Sequence, residues 1–362
     1  MDEWIHIQRK QKFSKKKYRY KDEREEKLLL SGEDKKDVCR DKDKESVNEN
    51  KTMHYEDKNA KHIHNEVKKV TSYLEKSLFF ENFKEKFNQI SQKNGNIAGA
   101  ICLGLGSLAD MNLNNKRSCM YQLSFILLVR KTYNIPQMYV YDPKITKIDA
   151  IVYALLDVTV LDAPDQASKG QKEREEVEAG VRENVVEDVG DTIGRNVGVG
   201  GTPLGSGGQK MLLFMPHCDV SLYGQVLCDL FTREQLRYTN AHFSFNLENT
   251  IFLGNSFDYY RDHMYLYKPL GLPSCAIRML QKNEQSLNVK WKDAHLNRLK
   301  RNFKPAHFIF YLSNFLEEIK FPICSEQKQA FNDLSIIIFR KISNKVTFWS
   351  NVCEFLLDQK KE

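Results

Sequence analysis

Residues 101–110 read ICLGLGSLAD, and the fold turns on how that stretch is read. A short apolar run stops at two glycines, which is the pattern of a buried strand followed by a turn. Gly104-Leu105-Gly106-Ser107-Leu108-Ala109 fits G-x-G-x-x-[GA], placed directly after that strand. In this pattern Gly104 permits the tight turn, Gly106 lets backbone approach a ligand, and Ala109 allows close helix–strand packing. The segment MNLNNKR, 111–117, separates the loop from the helix that follows. A glycine-rich turn without a ligand is therefore an equal alternative.

Working outward, strand and helix patterns alternate. The spacing predicts a helix over 117–133, with Tyr121, Phe125, Leu128 and Val129 on one side, ended by Asn134-Ile135-Pro136. MYVYD (138–142) reads as a strand stopped by Pro143, 145–156 as a helix, and DVTVL (157–161) as a third strand. KMLLFMPHC (210–218) is the next strand, followed by helices at 222–231 and 233–238. TIFLGNSF (250–257) is strand and turn. Residues 272–304 read as helical and basic, and 308–319 as helix again. LSIIIF (334–339) is the final strand, and 346–359 a terminal helix. Before the opening stretch, Val67, Val70, Tyr73, Leu74, Leu78, Phe79 and Phe83 recur at helical spacing over 66–93.

Short apolar strands alternating with amphipathic helices predict an α/β fold. The expected form is a Rossmann-like three-layer sandwich with a mostly parallel sheet of about six strands, the last able to run antiparallel. In such sheets ligands sit at the carboxyl ends of the strands. The domain is expected over 66–345, with 346–362 as a C-terminal helix. Two segments fall outside the pattern. Residues 1–65 are charge-dense with little apolar periodicity and are expected to be disordered, His62 and His64 included. Residues 165–209 hold ten of the eighteen glycines, with nine acidic and five basic residues, and read as a flexible insertion.

Composition narrows the function. The net charge is +7 over 362 residues, too small and too mixed for a dedicated nucleic-acid binder. Mean hydropathy is −0.54 and no apolar run is long enough to cross a membrane. The start MDEWIHIQRKQKF lacks a secretory signal core, and the eight cysteines form no C-x-x-C pair. The expected setting is cytoplasm or nucleus.

Four strand ends carry the candidate site. Besides Gly104, Gly106 and Ser107, Asp142 ends the second strand, where a dinucleotide site places its ribose-binding acid. Asp142-Pro143 equally opens a turn. His217 closes the fourth strand as a polar lining group. Its neighbour Cys218 points to the other face of an extended chain, so a Cys–His pair or a metal site is not supported. Asn255 and Ser256 end the fifth strand and either reach the same cleft or stabilise a turn. No catalytic constellation emerges. Lys15-Lys16-Lys17-Tyr18-Arg19-Tyr20 reads as a solvated basic tail, with nuclear import or nucleic-acid contact as the sharper alternative. Lys282, Lys290, Lys292, Arg298, Lys300, Arg301 and Lys304 read as one face of an exposed helix. Nucleic acid is not expected as the primary partner; protein partners are.

Taken in order, ICLGLGS, the MYQLSFIL helix, VYDP, LLFMPHC with SLYGQVL, IFLGNSF and AFNDLSIIIF resemble the sensitivity-to-red-light-reduced family, the SRR-like domain proteins. Trp4 followed by a basic run is similar to that family's start. The resemblance implies a regulatory protein, of the kind linked to light and circadian input in plants, and to clock-gene expression and haem biosynthesis in animals. Yeast members are linked to microtubule phenotypes. It implies no established catalytic mechanism. Three functions follow as expectations. The first is a regulatory protein binding a nucleotide-like ligand at the strand ends. The second is an S-adenosylmethionine-dependent methyltransferase, with S-adenosylmethionine or another adenine nucleotide as cofactor, a reading that a final antiparallel strand would strengthen. The third is an interaction scaffold with an empty pocket.

Overall fold

A computed structural model describes residues 42–91, 96–164, 209–262 and 270–358. The chain divides into two units, Met1–Lys51 and Thr52–Glu362. Of the first, only 42–51 are described, as helix. Residues 1–41 of the expected disordered segment, its basic tail included, lie outside the described residues, as does nearly all of the expected insertion.

In chain order the elements are α1 (Lys42–Glu75), α2 (Leu78–Ser91), β1 (Ile97–Leu103), α3 (Leu113–Thr132), β2 (Gln137–Tyr141), α4 (Lys147–Leu155) and β3 (Thr159–Val160). There follow β4 (Lys210–Met215), α5 (Val220–Thr232), β5 (Gln235–Tyr238), β6 (Ala241–Ser244), β7 (Thr250–Asn255) and α6 (Phe257–Asp262). The chain continues through α7 (Ser274–Lys282), α8 (Glu284–Leu287), α9 (Asp293–Arg301), α10 (His307–Leu312), β8 (Leu316–Lys320), α11 (Lys328–Phe331), β9 (Leu334–Phe339) and α12 (Lys345–Asp358).

Seven strands form one sheet in the order β3-β2-β1-β4-β7-β9-β8, and β5-β6 form a separate hairpin. The pairs β1–β2, β2–β3, β1–β4 and β4–β7 are parallel; β9 is antiparallel to both β7 and β8. The fold is thus α/β with a mostly parallel sheet of seven strands, one more than expected. Alternation along each strand sends side chains to two separate cores. Ile101, Leu103, Leu213, Met215, Phe252 and Ile337 pack on one face, with α5, α7, α9, α10 and α12. Cys102, Val140, Leu212, Phe214, Leu253 and Ile336 pack on the other, with α1 to α4. The terminal helix belongs to the first core through Phe348, Trp349, Cys353 and Leu356.

Four expectations are corrected. Residues 42–65, expected to be disordered, are helix; Ala60, Ile63, Val67 and Leu74 are buried at spacings that one helix face supplies. His62 is exposed and His64 half-buried. The helix expected at 233–238 is strand β5: Leu236 and Tyr238 are buried between more exposed Gln235 and Arg237, a period of two. Glu234, at φ 55°, ends α5 before it. The helix expected at 308–319 stops at Leu312. LEEIK, 316–320, is instead the charged edge strand β8, its Glu317 and Glu318 opposite Ile338 and Ile337. Charge on an edge discourages further pairing, and the β9 ladder overrides helix propensity. Finally, the helical stretch at 272–304 is three helices, with Asn288 in the left-handed region after α8.

Candidate functional site

The carboxyl ends of β2, β1, β4 and β7 lie side by side. Leu103 is level with Tyr141, Cys102 with Phe214, and Met215 with Gly254. The chain order of the strands reverses between β1 and β4, which makes this rim the switch point of the sheet.

Gly104 and Gly106 leave β1 at φ 74° and 80°, where a side chain is strained. A Cβ on Gly104 would collide with Cys218 Sγ, and one on Gly106 would come within 2.8 Å of Cys119 Sγ. The loop therefore needs glycine twice, for conformation and for close approach. α3 begins at Leu113, four residues earlier than its periodicity suggests, because Asn112 caps it by accepting from the N–H groups of Asn114 and Asn115.

Four of the loop's N–H groups, those of Gly104, Gly106, Leu108 and Ala109, and the Ser107 hydroxyl are engaged within the chain. Gly106 N–H donates to Asp142 Oδ2 at 2.7 Å, and Asp142 Oδ1 accepts from Lys144 N–H at 2.7 Å. Leu108 and Ala109 N–H donate to Asp149 Oδ1 at 2.8 and 3.2 Å. Asp149 Oδ2 accepts from the Ser107 hydroxyl at 2.7 Å and from the N–H and hydroxyl of Thr146 at 2.8 Å. Asp149 is fully buried, and its five donors are all neutral groups. A buried carboxylate is tolerable only with its lone pairs filled in this way. The Thr146-x-x-Asp149 capping box is readable in the sequence as a helix start, but not the further reach of Asp149 to the loop.

Across the switch point, Cys218 Sγ donates to Leu103 O at 3.2 Å. Burial, with Asp142 and Asp219 nearby, pushes its thiol up to about 12, and burial does the same to Cys119. Both sulfurs are packing groups rather than nucleophiles. His217 has φ 52° and donates its N–H to Asn255 Oδ1 at 2.8 Å. The Asn255 amide in turn donates to Cys218 O at 3.2 Å and Tyr260 Oη at 2.7 Å. Tyr223 Oη receives Asn255 N–H at 2.7 Å and donates to Met215 O. Although His217 is an exposed residue, its ring is partly desolvated. That lowers its pKa against the opposing pull of the Ala330 carbonyl, Asp333 and the Gln329 carbonyl. Ser256 is buried, with its N–H on Asp333 O at 2.8 Å.

All seven residues singled out in the sequence thus lie at or just after the carboxyl ends of β1, β2, β4 and β7; Gly106 is tied to Asp142, His217 to Asn255, Ser107 to Asp149 and Ser256 to Asp333. Sequence reasoning missed Asp149, Cys218 as the filler of the β1–β4 crevice, and Tyr223. It also missed Tyr141, whose ring lies 5.5 Å from that of Tyr238 beside the loop. Elsewhere, among the described residues, lie a cavity of about 30 Å³ near Phe231 and Lys345 and one of about 450 Å³ among Phe310, Phe315, Phe348 and Phe355. Among the described residues no cluster of His, Cys, Asp and Glu has metal-site geometry, and no helix is long and apolar enough to cross a membrane.

No curated protein and no solved structure is similar enough to the chain to count as a match. The sequence model of the SRR1 domain matches residues 79–338, from α2 through β9, and includes every strand and the whole rim. That span covers well over half of the chain, which therefore belongs to the SRR1 domain family.

Proposed function

We propose that the chain is a regulatory protein whose rim, at the carboxyl ends of β1, β2, β4 and β7, binds an adenosyl ligand without a phosphate at the glycine loop. S-adenosylmethionine is the favoured member of that class. One observation carries the reading: the N–H groups of Gly106, Leu108 and Ala109, on the loop that would cradle a phosphate, are held by Asp142 and Asp149. A pyrophosphate would have to displace two carboxylates and then sit beside them, against strong like-charge repulsion. A sulfonium cation meets no such repulsion. Asp142 is half-buried and has one protein bond on each oxygen, so lone pairs remain for ribose hydroxyls. The order of the parallel strands is that of a doubly wound nucleotide-binding sheet, and β9 runs antiparallel next to β7, the feature the methyltransferase expectation asks for. Methyl transfer asks mainly for alignment of donor and acceptor, so the reading requires no acid–base pair at the rim.

The test is a thermal-shift series on the full chain. S-adenosylmethionine and S-adenosylhomocysteine should raise the melting temperature, by the equivalent of about 2.7 kcal/mol at a hundredfold excess over Kd. NAD and ATP should not. Asp142→Asn keeps an acceptor for Gly106 N–H and should weaken the adenosyl shift about tenfold in concentration. No shift at millimolar S-adenosylmethionine ends the reading; a shift without a methylated product keeps the binding role and removes the transferase. The scaffold alternative rests on Cys218, whose sulfur occupies the β1–β4 crevice against Gly104. It predicts that no adenosyl compound shifts the melt.

A further inference from the structure

We infer that the exposed face of α7–α9 binds the phosphate backbone of double-stranded nucleic acid without sequence preference. Between Arg278 and Lys304 the chain has eight Lys or Arg and two acidic residues, a local excess almost equal to the net +7 of the whole protein. Elsewhere basic and acidic residues nearly balance, so this face concentrates the positive field.

These helices are held firmly from below. Ala276, Ile277, Leu280, Trp291, Leu296 and Leu299 are buried in the first core, and Leu272 N–H donates to Leu299 O at 3.1 Å. At 100° per residue, Arg298 and Arg301 fall on the side of α9 away from Leu296 and Leu299. Gln281 Nε2 donates to Asp293 Oδ1 at 3.2 Å, which brings the end of α7, with Lys282, to the start of α9, with Lys292.

Lys282, Lys290, Lys292, Arg298, Lys300 and Arg301 are exposed, and none makes an ion pair among the described residues. Of the two acids, Glu284 is half-buried and accepts from Trp291 N–H at 3.1 Å, while Asp293 is exposed and accepts from Gln281 Nε2. One exposed carboxylate stands among the cations, which leaves the face strongly positive.

The absence of apolar anchors selects the partner. Protein interfaces are built on aromatic or aliphatic side chains that enter pockets. Among the described residues from 278 to 304, no large hydrophobic side chain is exposed, and Trp291 is buried. No Phe, Tyr or Trp ring is exposed there, and His295 is the one exposed ring among the described residues of the segment, so contact is chiefly to phosphates rather than to unpaired bases. Arg and Lys on a rigid helical face, free of apolar anchors, suit a regular array of phosphates, where affinity comes from counterion release.

The experiment titrates the full chain into a fluorescein-labelled duplex of about 20 base pairs, by anisotropy, from about 50 to 200 mM salt. Binding should fall steeply with salt and be equal for unrelated sequences. The variant Lys290→Glu, Lys292→Glu, Arg298→Glu, Arg301→Glu should lose at least about tenfold in affinity, and its log–log salt slope should flatten by about 0.9 for each phosphate contact removed. The matching four-Gln variant should lose less, in the same direction; it replaces the Glu variant if that one melts early. Changing Lys15, Lys16, Lys17 and Arg19 to Gln should leave the duplex affinity within about twofold. The inference is overturned if the wild type does not bind at the lowest salt, or if the tail variant rather than the α7–α9 variant loses binding. Tighter binding to polyglutamate or to phosphatidylserine vesicles at equal charge would assign the face to an acidic protein or a membrane surface and would likewise refute it.

Discussion

The acidic rim and the basic face use charge in opposite ways. At the rim, Asp142 and Asp149 are enclosed by donors from their own chain, six in all besides Lys144 N–H. On α7–α9 and the loop between them, Lys282, Lys290, Lys292, Arg298, Lys300 and Arg301 stand in solvent and make no ion pair among the described residues. A charge whose hydrogen bonds are filled internally stabilises a shape; a charge left to water is available to a ligand. The rim charges should therefore appear in stability measurements, and the face charges in binding measurements.

The largest expected effect breaks or upholds the first half of that contrast. Asp149→Ala removes the acceptor for Leu108, Ala109, Ser107 and Thr146 and should cost roughly 3–5 kcal/mol in urea unfolding. A loss below about 1 kcal/mol would mean that the loop does not depend on its internal carboxylate. Gly104→Ala comes next, at about 2–4 kcal/mol, from the left-handed backbone and the clash with Cys218. Combining it with Cys218→Ala should recover part of that loss, a non-additivity that strain alone would not produce.

Two tyrosines sharpen the comparison between filled and unfilled polar groups. Tyr223 and Tyr153 are both fully buried. The Tyr223 hydroxyl joins Met215 O to Asn255 N–H, whereas the Tyr153 hydroxyl, near Asp149, has no hydrogen-bond partner among the described residues. Tyr223→Phe should cost about 1–2 kcal/mol, and Tyr153→Phe should be neutral or stabilising. Equal losses from the two would contradict the network drawn here. On the basic face, the four-Gln variant should melt within about 0.5 kcal/mol of wild type, since its side chains touch nothing that folding needs.

The smallest effect is a pH dependence. The His217 pKa is lowered in the folded chain, chiefly by desolvation, so the unfolded chain binds the proton more readily. Stability from this group is therefore present above the unfolded value of about 6.5 and lost as pH falls through the lower folded value. Unfolding midpoints for wild type and His217→Gln should diverge over that acidic range and agree near pH 8. The same separation at pH 8 would remove titration as the cause.

Much of this was legible in the residues. The strands at 97–103, 137–141, 210–215, 250–255 and 334–339 announce themselves as short apolar runs, the first four closed by Gly, Pro or Asn, because period and turn chemistry are properties of neighbours along the chain. For the same reason the strand ends, and with them Gly104, Asp142, His217 and Asn255, could be set on one rim before any coordinates: parallel strands share a direction, so their carboxyl ends share an edge. Tertiary structure alone decided the rest. LEEIK is a strand because β9 offers it a ladder, against its own helical preference, and REQLRY becomes a hairpin arm because 241–244 lies opposite. The meaning of the glycine loop is of this second kind. Whether its N–H groups face a phosphate or an internal carboxylate depends on Asp149, some forty residues away, and a contact over that distance leaves no local pattern.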